Sequence, residues 1–238
     1  MRDQIYKLKG FFKNLFNYPH LVIDDFSYDK YWIHKGKGDL NSFQLFRAMW
    51  IEKRIEAKSH VLDVGAGDGS ILMYLLDKKK IVPNAIDFSD RILDLLKEKN
   101  ISVNKIDFTD NEAIKQIPRA DYFLILEVLE HMPKPEDFLR TILTQAKKSV
   151  FISIPNTGYI GHRLRLLFGS FPLQWKAHPS EHLRFWTVRD FKWWIKSLGF
   201  FDYTQFECYE GVPLFNKIWP SLFGKGIIAE IKCKQGSI

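Results

Sequence analysis

The fold is decided by the stretch Val61-Leu62-Asp63-Val64-Gly65-Ala66-Gly67-Asp68-Gly69-Ser70. Its first four residues are typical of a short buried strand, and an apolar pattern with helical spacing follows its last glycine. The stretch therefore predicts a strand, a tight turn and the start of a helix. Glycine suits the turn because it accepts positive φ and lets a ligand approach the backbone. The free N–H groups of the first helical turn favour a carboxylate or a phosphate there.

The spacing of the three glycines narrows the choice of ligand. The dinucleotide fingerprint G-x-G-x-x-G needs a glycine where this chain has Ser70, and the Gly-Lys-Ser/Thr end of a phosphate-binding loop does not follow. The stretch instead resembles the first motif, E/D-x-G-x-G-x-G, of the class I S-adenosylmethionine-dependent methyltransferases. An ordinary α/β turn is the alternative. The resemblance implies S-adenosyl-L-methionine as the cofactor, in contact with Asp63, Gly65, Ala66 and Gly67.

A second acidic residue follows the next strand-like run, residues 81–86, which ends in Asp87-Phe88. An acid about 20 residues beyond a glycine turn, at the tip of the neighbouring strand, can hold a ribose diol through both carboxylate oxygens. Asp87 is therefore predicted to bind the ribose, with Phe88 beside the adenine. The structural alternative is that Asp87 caps the helix that begins near Ser89.

Two later strand exits complete the implied cofactor site. Residues 101–106 read as a third strand, and the pattern from Thr109 to Glu112 predicts that the next helix begins with a capping box. Residues 120–126 are apolar, as expected of a central parallel strand. The resemblance implies that Asp107 meets the adenine amino group and that the cofactor is also lined by Phe108, Leu126 and Glu127.

The alternation of strands and helices from residue 61 onward predicts parallel βαβ units. We expect an α/β protein with a doubly wound, Rossmann-like, mostly parallel sheet of seven strands, the class I methyltransferase fold. Residues 46–238 would form that domain, with an insertion at about 157–180 after the fifth strand. Residues 1–45 would form an amphipathic helix and an aromatic lid segment. The resemblance makes Tyr31 and Trp32 lid candidates and Arg47 a partner for the cofactor carboxylate.

Composition bounds the class of protein. The 238 residues, 46% of them hydrophobic, can bury one sizeable core. No run of eighteen apolar residues exists, and lysines interrupt residues 1–16 before a secretory signal core can form, so a cytoplasmic protein is expected.

The net charge of +7 is unevenly distributed. Residues 1–60 hold 11 basic and 7 acidic residues, and residues 155–200 hold 7 and 2. This favours an anionic substrate or membrane surface, and the basic amphipathic stretches 1–17 and 159–171 suggest peripheral contact with an anionic membrane. Because the chain has no dense Lys/Arg cluster, a nucleic-acid partner is disfavoured.

Two histidines are candidate catalytic residues. Methyl transfer from a sulfonium mainly requires that the acceptor is held about 3–3.5 Å from the methyl group, but a hydroxyl acceptor also needs a base. Histidine titrates near neutral pH. His131 follows the fourth strand on the ligand-bearing edge of the sheet, and His182 follows the insertion. The alternative for each is structural, because either ring could instead tie down a loop or pack ahead of a helix.

Two patterns raise the question of a metal. Residues 178–182 match the inverted zinc motif H-x-x-E-H, but Pro179 disfavours the helix that this motif needs. The exit of the fourth strand resembles that of the ubiquinone-biosynthesis O-methyltransferases and the MetW-like branch, which implies a magnesium site at Glu127, Glu130 and His131. A hard cation gains little from histidine, so no metal is assigned.

The sequence thus predicts transfer of a methyl group from S-adenosyl-L-methionine to a small-molecule or lipid-linked acceptor, at oxygen. Two alternatives stay open. One is methylation of nitrogen or carbon on another class of substrate. The other is a non-catalytic, MetW-like role, in which the chain binds the cofactor and acts as the partner of another enzyme.

Overall fold

The computed structural model describes residues 40–108, 110–174 and 181–233. The predicted N-terminal helix, the lid candidates Tyr31 and Trp32, and His178 lie outside these residues. A seven-stranded sheet dominates the described part of the chain. Its strands are β1 His60–Val64, β2 Val82–Asp87, β3 Ser102–Lys105, β4 Ala120–Leu126, β5 Ala146–Pro155, β6 Thr204–Tyr209 and β7 Gly226–Lys232.

The strand order confirms the doubly wound sheet expected from the sequence. The order is β3-β2-β1-β4-β5-β7-β6, with β7 antiparallel to both of its neighbours and the other pairings parallel. The chain reverses its direction of winding between β1 and β4. In such sheets a crevice opens at the carboxyl ends of the strands on either side of the reversal, and ligands bind there.

Helices connect the strands, and side chains cap the first turns of two of them. The Ser89 hydroxyl accepts a hydrogen bond from the Ile92 amide, and Thr187 forms a capping box with Asp190. The helix after β3 is capped by the Asp110 carboxylate, and Thr109, where the sequence predicts a capping box, lies outside the described residues. The helices are α1 Ser42–Glu52, α2 Ser70–Lys79, α3 Asp90–Glu98, α4 Asn111–Lys115, α5 Pro135–Gln145, α6 Ile160–Leu167, α7 Val188–Ser197, α8 Phe215–Ile218 and α9 Pro220–Phe223.

The hydrophobic core lies on both faces of the sheet. Alternate residues of each central strand point to opposite faces, so Phe123 and Ile125 join one cluster and Tyr122 and Leu124 the other. The first cluster includes side chains of α5 and α7, and the second those of α1, α2 and α3. Burial of each large apolar side chain is worth about 1.5–3 kcal/mol. The two layers therefore fix β1 and β4, whose exits carry the candidate site.

Among the described residues, the structure contains no helix with the length and apolar character needed to cross a membrane.

Candidate functional site

The glycine turn after β1 needs glycine for two separate reasons. Gly65, Gly67 and Gly69 have φ values of +70°, +54° and +70°, which L side chains rarely adopt. A Cβ on Gly65 would also lie 2.8 Å from a methyl carbon of Val128, on the segment that follows β4. The turn is thus bare on its ligand side and tightly packed against the neighbouring strand exit.

Two contacts hold this turn in place. The Gly65 amide donates to the Ile86 carbonyl at 2.8 Å, which ties the turn to the end of β2. The Lys99 ammonium donates to the Asp68 carbonyl at 2.6 Å. Lys99 follows α3, thirty-one residues from Asp68, and the sequence analysis did not identify it. Its charge lies beside the turn, where it favours an anionic group.

Asp63 is buried inside β1, with 4% of its surface exposed. Burial raises the pKa of its carboxyl to about 8, and the charge of Asp87 adds to the effect, whereas the Arg47 charge opposes it. Near neutral pH the carboxyl is therefore mostly protonated. A neutral acid at this place can donate a hydrogen bond as well as accept one.

Asp87 ends β2 at the tip where the sequence predicts a ribose contact. Its Oδ1 accepts a hydrogen bond from the Ser89 amide at 3.0 Å, so the residue also shapes the start of α3. The cap itself is Ser89, as described above. Asp87 is only 1% exposed, whereas Phe88 beside it is 45% exposed. A ribose can reach the Asp87 carboxylate only after the groups that cover it are displaced.

The structure separates the two residues predicted after β3. Asp107 is exposed, and its carbonyl accepts from the Asp110 amide at 3.2 Å. Phe108 is half-buried, with its ring 5.9 Å from that of Phe138 in an edge-on contact. Phe108 therefore also packs against the core.

The exit of β4 carries a charged cluster that the sequence analysis found only in part. Glu127, which follows the half-buried Leu126, has a φ of +59°, and its Oε1 lies 3.0 Å from Nη1 of Arg47. The Ser153 hydroxyl donates to the same Oε1 at 2.8 Å, and Arg47 donates to the Tyr209 hydroxyl at 3.3 Å. Burial raises the pKa of Tyr209, so its hydroxyl stays neutral.

Ser153 and Tyr209 carry only weak signals in the sequence. Ser153 interrupts an otherwise apolar run in β5, and Tyr209 is one of several aromatic residues near β6. Pairing of β5 and β6 with β7 brings both to the carboxyl edge of the parallel strands, beside Glu127. That proximity depends on strand order, which a local pattern does not specify.

Both candidate histidines lie at the same place. The rings of His131 and His182 have centroids 4.8 Å apart and meet edge-on. The Glu130 carbonyl accepts from the amides of Leu183 at 2.7 Å and Arg184 at 3.0 Å, which fixes the segment that carries His182. His131 Nδ1 also bonds the Glu181 carbonyl.

The charge states in this group follow from burial. Burial, with a smaller effect of the His131 charge, lowers the pKa of His182 to about 3, so its ring is neutral at neutral pH. Burial and the nearby Glu127 charge raise the pKa of Glu130 well above its ordinary value. Neither carboxyl oxygen of Glu130 has a hydrogen-bond partner in the described part of the chain.

One oxygen or nitrogen from each of Glu130, His131 and His182 lies within 4.8 Å of the others, so the three form a candidate ion site. Two imidazoles and one carboxylate suit a transition metal or zinc better than magnesium. Glu127, part of the magnesium set implied by the sequence, is engaged by Arg47 and Ser153 instead. Of the inverted zinc motif, only Glu181 and His182 lie within the described residues, and neither is α-helical.

These features define a class of protein. The strand order, the glycine turn after β1 and the acid at the tip of β2 together form the class I methyltransferase fold. The sequence model of the family described as methionine biosynthesis protein MetW matches residues 47–229. The chain belongs to that family, and with it to the class I S-adenosylmethionine-dependent methyltransferase superfamily.

Known relatives and structures agree with this assignment. The ubiquinone biosynthesis O-methyltransferase of Coxiella burnetii is 29% identical over 120 residues, which are 48% of this chain and 51% of that protein. The chain thus matches about half the length of this curated relative. A SAM-dependent methyltransferase from Archaeoglobus fulgidus superposes with a TM-score of 0.63 at 19% identity, covering 87% of this chain and 100% of that one.

A second solved structure shares the fold. The magnesium protoporphyrin IX methyltransferase from Synechocystis PCC 6803, solved with bound SAH, has a TM-score of 0.59 at 16% identity. The match covers 87% of this chain and 94% of that one. At these identities the two superpositions establish the fold alone.

Proposed function

We propose that the chain binds S-adenosyl-L-methionine and transfers its methyl group to a hydroxyl of a small-molecule or lipid-linked acceptor. The observation that carries this proposal is the convergence of the glycine turn, Asp87 and the His131–His182 pair on one edge of the sheet. Membership in the MetW family supports the cofactor. The oxygen acceptor is supported only by the two histidines and by the partial similarity to an O-methyltransferase.

The residues present fit the proposed cofactor. The bare backbone of Gly65 to Gly67 would lie against its methionine part, and Asp87 would accept from its ribose hydroxyls once uncovered. Phe88, with its exposed ring, would flank the adenine. Arg47 Nε is buried without a hydrogen-bond partner among the described residues, which leaves one donor for the cofactor carboxylate. When bound, the cofactor supplies an electrophilic methyl group on a sulfonium.

His131 is the better candidate for the base. If its Nδ1 carries the proton and donates to the Glu181 carbonyl, its Nε2 is free to accept a proton from the acceptor hydroxyl. His182, with its pKa lowered to about 3, binds protons weakly and would serve to position the His131 ring. A cation held by Glu130, His131 and His182 is the second way to activate a hydroxyl, because it would lower the hydroxyl's pKa.

The first experiment is calorimetric titration of S-adenosylmethionine and S-adenosylhomocysteine into the wild type, Asp87→Asn and Asp90→Asn. Asp87→Asn keeps the acceptor for the Ser89 amide but removes the charge, so we expect affinity to fall by about tenfold or more. Asp90 lies nearby but bonds only Lys105 at the surface in the described structure, which makes it the matched control. Absence of binding to the folded wild type would overturn the proposal.

A second experiment separates the open mechanisms. The wild type, His131→Gln and His182→Gln are incubated with labelled cofactor and extracts of small molecules and lipids, and bound metal is measured by mass spectrometry. Stoichiometric metal lost in both variants favours the cation. Transfer by a metal-free wild type, lost in His131→Gln, favours the base. Cofactor binding with no transfer to any acceptor pool, together with a stoichiometric protein partner, favours the non-catalytic role.

We further propose peripheral contact with an anionic membrane surface, through which a lipid-linked acceptor would be reached. Residues 1–17, one of the two stretches predicted to make this contact, lie outside the described residues. The other, 159–171, includes α6, and three exposed apolar residues lie at the end of this helix and directly after it: Leu166, Leu167 and Phe168.

A further inference from the structure

The connection between β6 and β7, residues 210–225, is a compact projection with four large apolar side chains turned outward. Ile218 is 80% exposed and Trp219 is 59% exposed, and Leu214 and Phe215 are more than half exposed. Single exposed apolar residues are ordinary, but an adjacent group of large ones marks an interaction surface. The sequence analysis did not identify this segment.

The backbone of the projection is bonded within itself. Lys225 donates to the Tyr209 carbonyl at 3.0 Å and Val212 to the Phe223 carbonyl at 3.1 Å, which closes the base, and Trp219 donates to Phe215 at 2.8 Å. A Cβ on Gly211 would lie only 1.9 Å from the Phe223 oxygen, so the closure is tight. Such internal pairing is what a segment needs before it enters an apolar medium, where water cannot satisfy backbone groups.

One apolar residue of the projection has an unfavourable backbone conformation. Leu214 has a φ of +69°, in the left-handed region that a bulky residue rarely adopts. No interior packing accounts for this conformation, because the Leu214 side chain is 68% exposed. The conformation instead leaves the side chain exposed to solvent, next to the start of α8.

Helix α6 lies beside the base of this projection. Unlike an ordinary surface helix, it buries a charged residue and exposes apolar ones. Asn156, which precedes it, donates to the Ser221 and Gly224 carbonyls at 3.0 and 2.8 Å, and Lys225 lies over the Tyr159 ring at 5.4 Å. On α6 the charged Arg165 is 3% exposed, whereas Leu167 is 74% exposed. An amphipathic helix on a protein surface usually turns its charged residues outward, so the outward apolar side of α6 also suits an apolar medium.

Charge and position decide the partner. Residues 210–225 contain two lysines and one acidic residue, Glu210, whereas residues 157–174 contain two arginines, of which Arg165 is buried, and no acidic residue. Tyr209 and Pro155 both pair with Gly226, so the projection and the β5 exit lie at the same edge of the sheet as the glycine turn. An apolar surface on which cations outnumber acids matches the interface of an anionic bilayer.

We infer that residues 210–225 form a projection that inserts into a membrane. Together with the end of α6, it would hold the carboxyl edge of the sheet against anionic lipid. This extends the proposed function, since it rests on a lipid-linked acceptor being presented at that edge. The binding itself requires neither the cofactor nor turnover.

The test is flotation of the full chain with vesicles of phosphatidylcholine alone and with phosphatidylglycerol added. We expect the wild type to float with the anionic vesicles, and Ile218→Ser/Trp219→Ser to lower the partition coefficient by about tenfold or more. Leu167→Ser/Phe168→Ser should lower it as well. Trp193→Ser is the matched control, because Trp193 is 69% exposed on α7, outside both segments, and its removal should leave flotation unchanged.

Two results would overturn the inference. One is equal flotation of the wild type and Ile218→Ser/Trp219→Ser. The other is a wild type that does not float but forms a dimer in light scattering, which the same variant converts to a monomer, since the face would then bind a second copy. Cofactor titration of every variant keeps this outcome distinct from failure of the proposed function. A variant that binds the cofactor normally is folded, and a chain that floats without binding it contradicts the proposed function only.

Discussion

The Arg47 guanidinium lies 3.0 Å from the Glu127 carboxylate, and this ion pair joins α1 to the exit of β4 across 80 positions of the chain. The same Nη1 lies 3.3 Å from the Tyr209 hydroxyl and 3.4 Å from the Ser153 hydroxyl. One side chain therefore ties the helix ahead of the glycine turn to three strands at the edge where the cofactor is proposed to bind. Helix α1 therefore contributes a residue to the proposed cofactor site.

Arg47→Met should destabilise the fold, because it leaves Glu127 and Tyr209 without their cation. Breaking a fully buried pair costs about 3–5 kcal/mol, but a third of the Glu127 side chain is exposed, so about 2–3 kcal/mol is expected. Urea unfolding measures it. Lys97→Met, which breaks the exposed pair with Asp94, should cost under about 1 kcal/mol. Adding Glu127→Gln to Arg47→Met should restore part of the loss, and strictly additive effects would contradict the pairing.

Gly65→Ala should be more damaging than Gly169→Ala. Both glycines have positive φ, which costs an alanine about 1–2 kcal/mol. Only at Gly65 would the new methyl also overlap Val128, at 2.8 Å, whereas nothing lies within 4 Å at Gly169. We expect about 1–3 kcal/mol of additional destabilisation in Gly65→Ala, read from thermal or urea unfolding. Adding Val128→Ala should recover part of that addition, and equal losses in the two single variants would show that packing plays no role.

Much of this architecture could be predicted from short-range patterns. The glycine turn, the caps at Ser89 and Thr187 and the apolar run of β4 are local signals, because each depends on residues a few positions apart. These signals place the strands to within a few residues, and the observed strand order confirms the fold class that they predict. Near residue 110 the local signal is ambiguous, because Asp110, which caps the helix, follows directly on Thr109, an equally suitable cap by sequence.

The remainder depends on which strands become neighbours. Lys99 reaches Asp68, and Tyr209 reaches Arg47, only because the sheet order brings distant segments together. Burial of Asp87 is likewise a property of the assembled chain, since the sequence predicts an accessible carboxylate, and so is the burial of Arg165 on α6. Both histidines are candidates from the sequence alone. Their contact, however, depends on the hydrogen bonds that the Glu130 carbonyl accepts from the loop that carries His182.

Asp63→Asn should make the stability of the protein less sensitive to a rise in pH from about 4 to about 8. The pKa of Asp63 is raised to about 8 in the fold from 3.8, so the folded state holds a proton that the unfolded state releases. Stability from this group is therefore present below about pH 4 and is lost as pH rises toward 8, at up to about 1.4 kcal/mol per unit. Urea unfolding at pH 5 and pH 8 should show a smaller decrease in Asp63→Asn. Parallel behaviour of the two proteins would rule out a buried, protonated Asp63.

His182→Gln should make the stability of the protein less sensitive to a fall in pH on the acid side. The pKa of His182 is lowered from 6.5 to about 3 in the folded protein. Between these two pH values the unfolded state binds a proton that the folded state does not bind. Its contribution is complete above about pH 6.5 and is lost as pH falls toward 3. His162, whose pKa burial lowers to about 4, acts in the same direction, so His162→Gln is the matched comparison and the double variant should have the smallest acid slope. Unfolding curves between pH 4 and pH 7 measure these slopes. If His182→Gln keeps the wild-type slope, His182 is not held neutral beside His131, and its proposed role in positioning the His131 ring loses its physical basis.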